Sequence, residues 1–245
     1  RVPMVHHVHS PTARDTESAV RNRVNTIIER MSLIGVRALI PVSSSLVEYL
    51  AGEGFPKSRI FMVANGVATP DSLPAAPSLG SEWVIGCVAL FRPRKGVEVL
   101  LEAIAQLRRQ GKPVRVLAVG PFDTAAYEHE VKQLADRLGI AESVEWTGFT
   151  NDVAAQFARM HAFVLPSLFG EGMPMVILEA MANGVPVVAS RVEGIPEVIQ
   201  DRRTGVLVEP SNASALSLAI GELVDGGLNR EDMRRDAYQR QAECF

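Results

Sequence analysis

The sequence predicts an α/β protein organised around a Rossmann-type parallel sheet, and three observations point there. Between residues 82 and 226, short apolar runs alternate with amphipathic helical stretches. Runs such as Phe163-Val164-Leu165 and Val187-Val188-Ala189 are apolar at consecutive positions, which suits strands covered by helices on both faces. Glycine and polar residues gather where these runs end, and that is the edge at which open parallel sheets hold ligands. A chain of 245 residues corresponds to about 1.6 typical domains. One complete unit and a partial second one are expected.

Taken in order, residues 1–73 read as β-α-β-α-β. Residues 2–8 form a strand that runs into His9-Ser10 and is stopped by Pro11. Asp15 offers a helix cap before Val20, Val24, Ile27, Ile28, Met31 and Leu33, which recur at helical spacing. Residues 38–42 form a short strand, Ser43 to Ser45 can cap a helix reaching Leu50, and residues 60–63 form a further strand. These strands are too few for an independent doubly wound domain. Since the text opens on Arg1 at a strand, the chain is expected to be part of a longer protein. Residues 66–81, rich in Pro, Ser, Gly and Ala, read as a surface linker.

The main unit follows. Strands are expected at 83–91, 114–119, 143–146, 162–165, 185–189 and 205–208, with helices at 96–110, 124–138, 151–160, 173–183, 194–200 and 212–225. The first of these helices carries Val97, Leu100, Leu101, Ile104 and Leu107 on one stripe. Residues 229–245 form a charged helix capped by Asn229. The division is therefore 1–73, 74–226 and 227–245.

Composition removes several classes. Twenty-five basic against 28 acidic residues give a net charge of −3, the wrong balance for an electrostatic grip on nucleic acid or an anionic membrane. Cys87 and Cys244 lie far apart and form neither a disulfide framework nor a zinc pattern. They fit a reducing compartment, so a cytoplasmic location is expected. No run approaches the roughly 18 apolar residues of a membrane helix. Gly-x-Ser-x-Gly, Gly-x-Gly-x-x-Gly and Walker patterns are all missing from the sequence. Cys87 sits within an apolar strand and reads as core.

The strand ends suggest the chemistry. In Phe169-Gly170-Glu171-Gly172-Met173-Pro174, Pro174 suits the first position of a helix. The open amides and positive helix start there favour an anion, most simply a diphosphate. Glu171 and Glu179 would be poor phosphate ligands but good acceptors for hydroxyls, which suggests sugars on either side of the diphosphate. Ordinary helix-start acids are the alternative reading. Arg92, Arg94 and Lys95, followed by Gly96, close one strand and open a helix, and can cover the same diphosphate. A solvated basic turn is the alternative there. In His6-His7-Val8-His9, His7 and His9 share a face. A metal would need a further defined ligand, whereas His9 at the strand end is placed to hydrogen-bond a substrate.

Glu171-Gly-Met-Pro-Met-Val-Ile-Leu-Glu179 resembles the Glu-(seven residues)-Glu signature of retaining glycosyltransferases of GT-B fold, family-four (group 1) type. Further matching words are NGV at 65–67, RKGVEVLLEAIAQL at 94–107, WTGFTNDV at 146–153, LEAMANGVPVVAS at 178–190, EGIPEVI at 193–199 and TGVLVEP at 204–210. The resemblance implies two Rossmann-like domains with a cleft between them. Residues 74–226 then resemble the complete donor domain, residues 1–73 the latter part of the acceptor domain, and the last helix the one that crosses back.

The resemblance also implies roles. Glu179 would accept from the ribose hydroxyls and Glu171 from those of the donor sugar. Lys95 would pair with the diphosphate, and backbone around Gly172, Met173 and Pro174 would approach sugar and phosphate. His9 would reach the transferred sugar. The family's second basic group stands five residues before the lysine, where this chain has Leu90, so Arg92 is the implied substitute with Arg94 behind it. Transfer would move a sugar with retention from a nucleotide sugar, such as a UDP- or GDP-sugar, to a saccharide, lipid-linked or other small acceptor. Such a step belongs to polysaccharide or glycolipid synthesis and needs no metal or other cofactor. Peripheral membrane contact would come through the part of the first domain outside this chain. A nucleotide-sugar-binding fragment without turnover and a sugar-nucleotide epimerase on the same fold are the alternatives.

Overall fold

A computed structural model describes residues 3–11 and 18–245. The strand start at Val2 and the cap offered by Asp15 lie outside the described residues. The first unit contains β1 (Val5–Val8), α1 (Ala19–Ser32), β2 (Ala38–Pro41) and α2 (Ser44–Gly52). Ser18 caps α1 and Ser43 caps α2, each hydroxyl accepting an amide three residues on. β1 and β2 pair in parallel. The strand expected at 60–63 is reduced to a parallel bridge between Leu39 and Ile60. The amides of Phe61 and Val63 still donate to Leu39 and Pro41, so the segment lies along β2 without completing a strand.

The main unit runs β3 (Trp83–Val88), α3 (Val97–Arg109), β4 (Val114–Val119), α4 (Ala125–Arg137), β5 (Val144–Gly148), α5 (Val153–Phe157), β6 (Ala162–Leu165), α6 (Met175–Ala182), β7 (Val187–Ser190), α7 (Ile195–Val198), β8 (Val206–Val208) and α8 (Ala213–Val224). Its six strands form one parallel sheet in the order β5-β4-β3-β6-β7-β8. The order reverses beside β3, which places a topological switch point at the carboxyl ends of β3 and β6.

Strand alternation sends successive side chains to opposite faces, and both faces are buried. Ile85, Val116 and Val164 meet α3, α4 and α8 in one core. Val84, Leu117 and Phe163 enter a second core, which holds Ile177 and Leu178 of α6. That second core continues into the first unit through Val8, Leu39 and Leu46. Gly86 lets Met160 pack closely between the layers: a Cβ there would lie 2.0 Å from the Met160 sulfur, and that side chain would have to move.

The last helix, α9 (Arg230–Cys244), is capped by Asn229. It gives the supposed surface linker a partner. Gln241 donates to the Val67 carbonyl at 3.0 Å, Thr69 donates to Gln241 at 2.7 Å, and Tyr238 donates to the Pro70 carbonyl. Arg234, buried, donates to the carbonyls of Pro74 and Gly184 at 2.6 Å each. Residues 66–74 lack regular structure, yet they are laced to a helix rather than loose.

Candidate functional site

The site forms where the carboxyl ends of β3 and β6 meet the end of β1. After β3, Arg92 leads into a single 3-10 turn at Pro93–Lys95, closed by Gly96 in the left-handed region (φ 64°). The glycine is needed there, since a Cβ would also lie 2.2 Å from the Pro166 carbonyl oxygen. This turn aims Lys95 at the loop after β6. Its Nζ donates to Glu171 Oε1 at 2.5 Å, and the same oxygen accepts the Ser167 hydroxyl at 2.6 Å. Glu171 is buried, and a carboxylate so placed must be paired. Lys95 and Ser167 supply the pairing.

Arg94, which the resemblance puts behind Arg92, is engaged by the loop after β6. Its Nη1 donates to the Gly170 carbonyl at 2.9 Å and stands 4.0 Å from Glu171 Oε1, so it shapes the loop. Arg92 Nε is buried and has no hydrogen-bond partner among the described residues.

Pro174 caps α6 instead of occupying its first turn, and the helix begins at Met175. With ψ at 115°, Pro174 is extended, and its carbonyl accepts the Ile177 amide at 3.1 Å. The leading amides of a helix have no intrahelical partner, and this cap supplies no side-chain bond to them. Glu179, one turn further in, is half-buried. Burial alone pushes its carboxyl above the usual carboxylate range. No hydrogen bond or ion pair to that carboxylate is present among the described residues.

The first unit reaches the same loop. A Cβ at Gly172 would lie 2.0 Å from the His9 carbonyl oxygen and 2.9 Å from Leu46, so β1 ends directly against the Glu171 loop. The rings of His7 and His9 lie 4.1 Å apart on one face, as strand alternation requires. Partial burial, then His7 and His6, hold the His9 imidazole below its usual range, so it is neutral at pH 7 and suited to bond a hydroxyl. Among the described residues no group of three or more potential metal ligands converges. Cys87 is buried in β3, and burial pushes its thiol up to about 12, as expected of a core residue.

Beyond the loop a cleft of about 540 Å³ opens between α2 and the main unit, lined by Ser45, Glu48 and Tyr49 on one side and Phe169, Arg191 and Glu193 on the other. Lys95 and Glu179 do not line it.

Sequence reasoning missed four participants. Ser167 holds Glu171, and Asn65 donates its Nδ2 to the Met173 carbonyl at 2.9 Å. Glu193 Oε2 accepts the Glu171 amide at 3.3 Å, and Glu197 accepts two amides from α2. Asn65 and the two glutamates lie within the quoted words NGV and EGIPEVI, so the signal was present without a role attached.

This arrangement is that of a GT-B-type sugar-transfer fold, and residues 72–240 match the family of glycosyl transferases group 1. The chain belongs to that family. It is 32% identical over 197 residues to the "Putative colanic acid biosynthesis glycosyltransferase WcaL" of Salmonella typhimurium, covering 75% of this chain and 47% of that protein. It is 30% identical over 229 residues to the "D-inositol 3-phosphate glycosyltransferase" of Segniliparus rotundus, covering 85% and 50% respectively. The chain thus spans about half the length of the curated relatives it matches. Among solved structures, Anabaena HepE in complex with UDP-glucose superposes with a TM-score of 0.88 at 23% identity, covering 99% of this chain and 68% of that one. No helix of the described residues is long and apolar enough to cross a membrane.

Proposed function

We propose that this chain is the donor-binding part of a retaining glycosyltransferase that moves a sugar from a nucleotide sugar to a saccharide or lipid-linked acceptor. The observation that carries the reading is the buried Lys95–Glu171–Ser167 cluster at the start of α6, with Glu179 on the same helix and His9 across the loop. A diphosphate entering there meets the α6 amides and Arg92. It draws the Lys95 ammonium from Glu171, and the released Oε1 then accepts a hydroxyl of the donor sugar. Glu179, desolvated and without a partner, accepts from the ribose hydroxyls.

His9, neutral, faces the transferred sugar from the first unit. Retention follows from front-face substitution, in which the leaving diphosphate is stabilised electrostatically and the acceptor is held on the same side. We place this work in the cytoplasm, since Cys87 and Cys244 are both free thiols. One of the relatives is described as a GDP-mannose-dependent mannosyltransferase and one structural neighbour holds UDP-glucose, so both bases belong in the test.

A thermal-shift panel of UDP-, GDP-, ADP- and dTDP-sugars decides the matter. One donor at a hundred times its dissociation constant is expected to stabilise the chain by about 2.7 kcal/mol, with or without EDTA, and Lys95→Ala to abolish most of that gain. No response to any member of the panel overturns the reading. A response that needs a divalent ion overturns its metal-free form.

A further inference from the structure

Glu197 makes a contact that no local pattern predicts. It belongs to α7 in the main unit, yet its Oε2 accepts the Ser44 amide at 2.7 Å and its Oε1 the Ser45 amide at 2.9 Å. These are the first two residues of α2 in the other unit. The Ser43 hydroxyl takes the next amide, that of Leu46, at 3.3 Å. Most of the amides left open at this helix start are thereby met, two of them by a charged group from across the molecule. A carboxylate in that position gains from charge-assisted bonds and from the helix dipole together.

The segment that carries Glu197 is held elsewhere too. Arg240 of α9 donates to the carbonyls of Glu197 and Val198 at 2.8 and 2.7 Å. The Gly194 amide donates to the Glu171 carbonyl at 3.0 Å, while Glu193 accepts the Glu171 amide. A Cβ at Gly194 would lie 1.5 Å from the Gly172 carbonyl oxygen and 3.2 Å from Ser43 Cβ. Residues 193–197 therefore clasp the Glu171 loop at one end and α2 at the other. α2 in turn supplies Ser45, Glu48 and Tyr49 to the cleft.

We infer that Glu197 is a positioning residue that couples occupation of the Glu171 loop to the placement of α2, and so sets the acceptor-side wall of the cleft. The inference rests on the donor-site reading above. A donor that takes Lys95 from Glu171 shifts the backbone at 171–172. Residues 193–194, bonded to that backbone, move with it, and Glu197 passes the shift to the start of α2.

The test uses UDP, UDP-glucose and GDP-mannose as probes. Amide exchange is read at Ser45, Leu46 and Val47, and affinity by calorimetry, in the native chain and in Glu197→Gln. Glutamine keeps the size but turns one acceptor into a donor facing an amide. In the native chain a bound probe is expected to slow exchange there by about five-fold or more, the lower end of ordinary coupling. In Glu197→Gln the ratio falls close to one, and by linkage the probe's affinity weakens by the same factor.

Ser44→Pro provides a second variant. Proline suits a first helical position and follows the extended Ser43 (φ −150°, ψ 159°). It deletes the 2.7 Å bond without touching Glu197, and should lower the coupling in the same direction. A fall in melting temperature with the coupling intact in both variants makes Glu197 a plain structural tie and overturns the inference. So does exchange at α2 that ignores a bound probe in the native chain. Failure of every probe to bind the native chain overturns the donor-site reading itself, and this inference with it.

Discussion

α1 and α3 carry the same kind of apolar stripe and are placed in opposite ways. In α3, Val97, Leu100, Leu101 and Ile104 are fully buried against the sheet and α8. In α1, Val20, Ile28 and Met31 are 76%, 59% and 66% exposed, while Asn22, Asn25 and Thr26 on the other side are half-buried. Periodicity identifies a helix and its two faces, but it does not say which face the neighbours cover. The main unit surrounds its helices on both sides of a six-stranded sheet. The first unit, among the described residues, has a two-stranded sheet and leaves an apolar face outward.

The largest test of this contrast is a pair of truncations. Leu101→Ala in α3 should destabilise the chain by about 2–5 kcal/mol, whereas Ile27→Ala in α1 should change it by about 0.5 kcal/mol or less. Urea unfolding monitored by circular dichroism gives both numbers. Equal losses would mean that the α1 face is covered in solution.

A second test asks whether donor binding belongs to the main unit alone. Glu179→Gln should weaken nucleoside diphosphate binding by about 1.5–3 kcal/mol, the value of a bond to a charged group. His9→Ala should leave that affinity nearly unchanged. Burial raises the Glu179 carboxyl, so the folded chain holds this proton to a higher pH than the unfolded chain does. The ionised carboxylate therefore weakens the fold at pH 7, and Glu179→Gln should raise the melting temperature of the free protein while lowering affinity. A loss of both properties would speak against a desolvated binding group.

The smallest effect concerns the segment joining the two regions. His161 Nδ1 accepts the Val84 amide at 2.9 Å, and its Nε2 lies 3.2 Å from the Ser78 carbonyl. This pinning requires a neutral ring, and burial holds the imidazole below the usual histidine range. The unfolded chain therefore takes up this proton first as pH falls. The stability His161 contributes should be complete above pH 6.5 and drain away below it. Unfolding curves at several pH values should show a shallower acid decline for His161→Gln than for the native chain. Parallel declines would mean that the ring does not hold the segment.

The six-stranded sheet was legible because its central strands, such as β6 and β7, are apolar at consecutive positions and each crossover is short and periodic. Element ends were less so. The helix expected over 194–200 is four residues, Ile195–Val198, and Pro174 caps a helix it was expected to begin. The cations and both glutamates of the site were visible as residue types at strand ends. Their pairing was not, because Lys95 meets Glu171 across 76 residues and Ser44 meets Glu197 across 153. Such contacts are set by how layers stack, which local spacing does not encode. The lacing of 66–74 by α9 was hidden for the same reason, since Pro-rich and Ser-rich composition describes a segment without regular structure but not its partner.

The close approach of the His9 carbonyl to Gly172, with Gly194 stacked behind, bears on how a mutational scan of this region is to be interpreted. Alanine at Gly172 places a methyl 2.0 Å from the His9 oxygen, and alanine at Gly194 wedges apart the loop and the strand behind it. Neither glycine has a side chain that could contact a ligand. Inactivity in either variant would therefore measure the tolerance of three converging backbones to separation. A scan that ranks positions by lost activity would score these two beside Glu171 and Lys95, although what their missing side chains contribute is the absence of bulk.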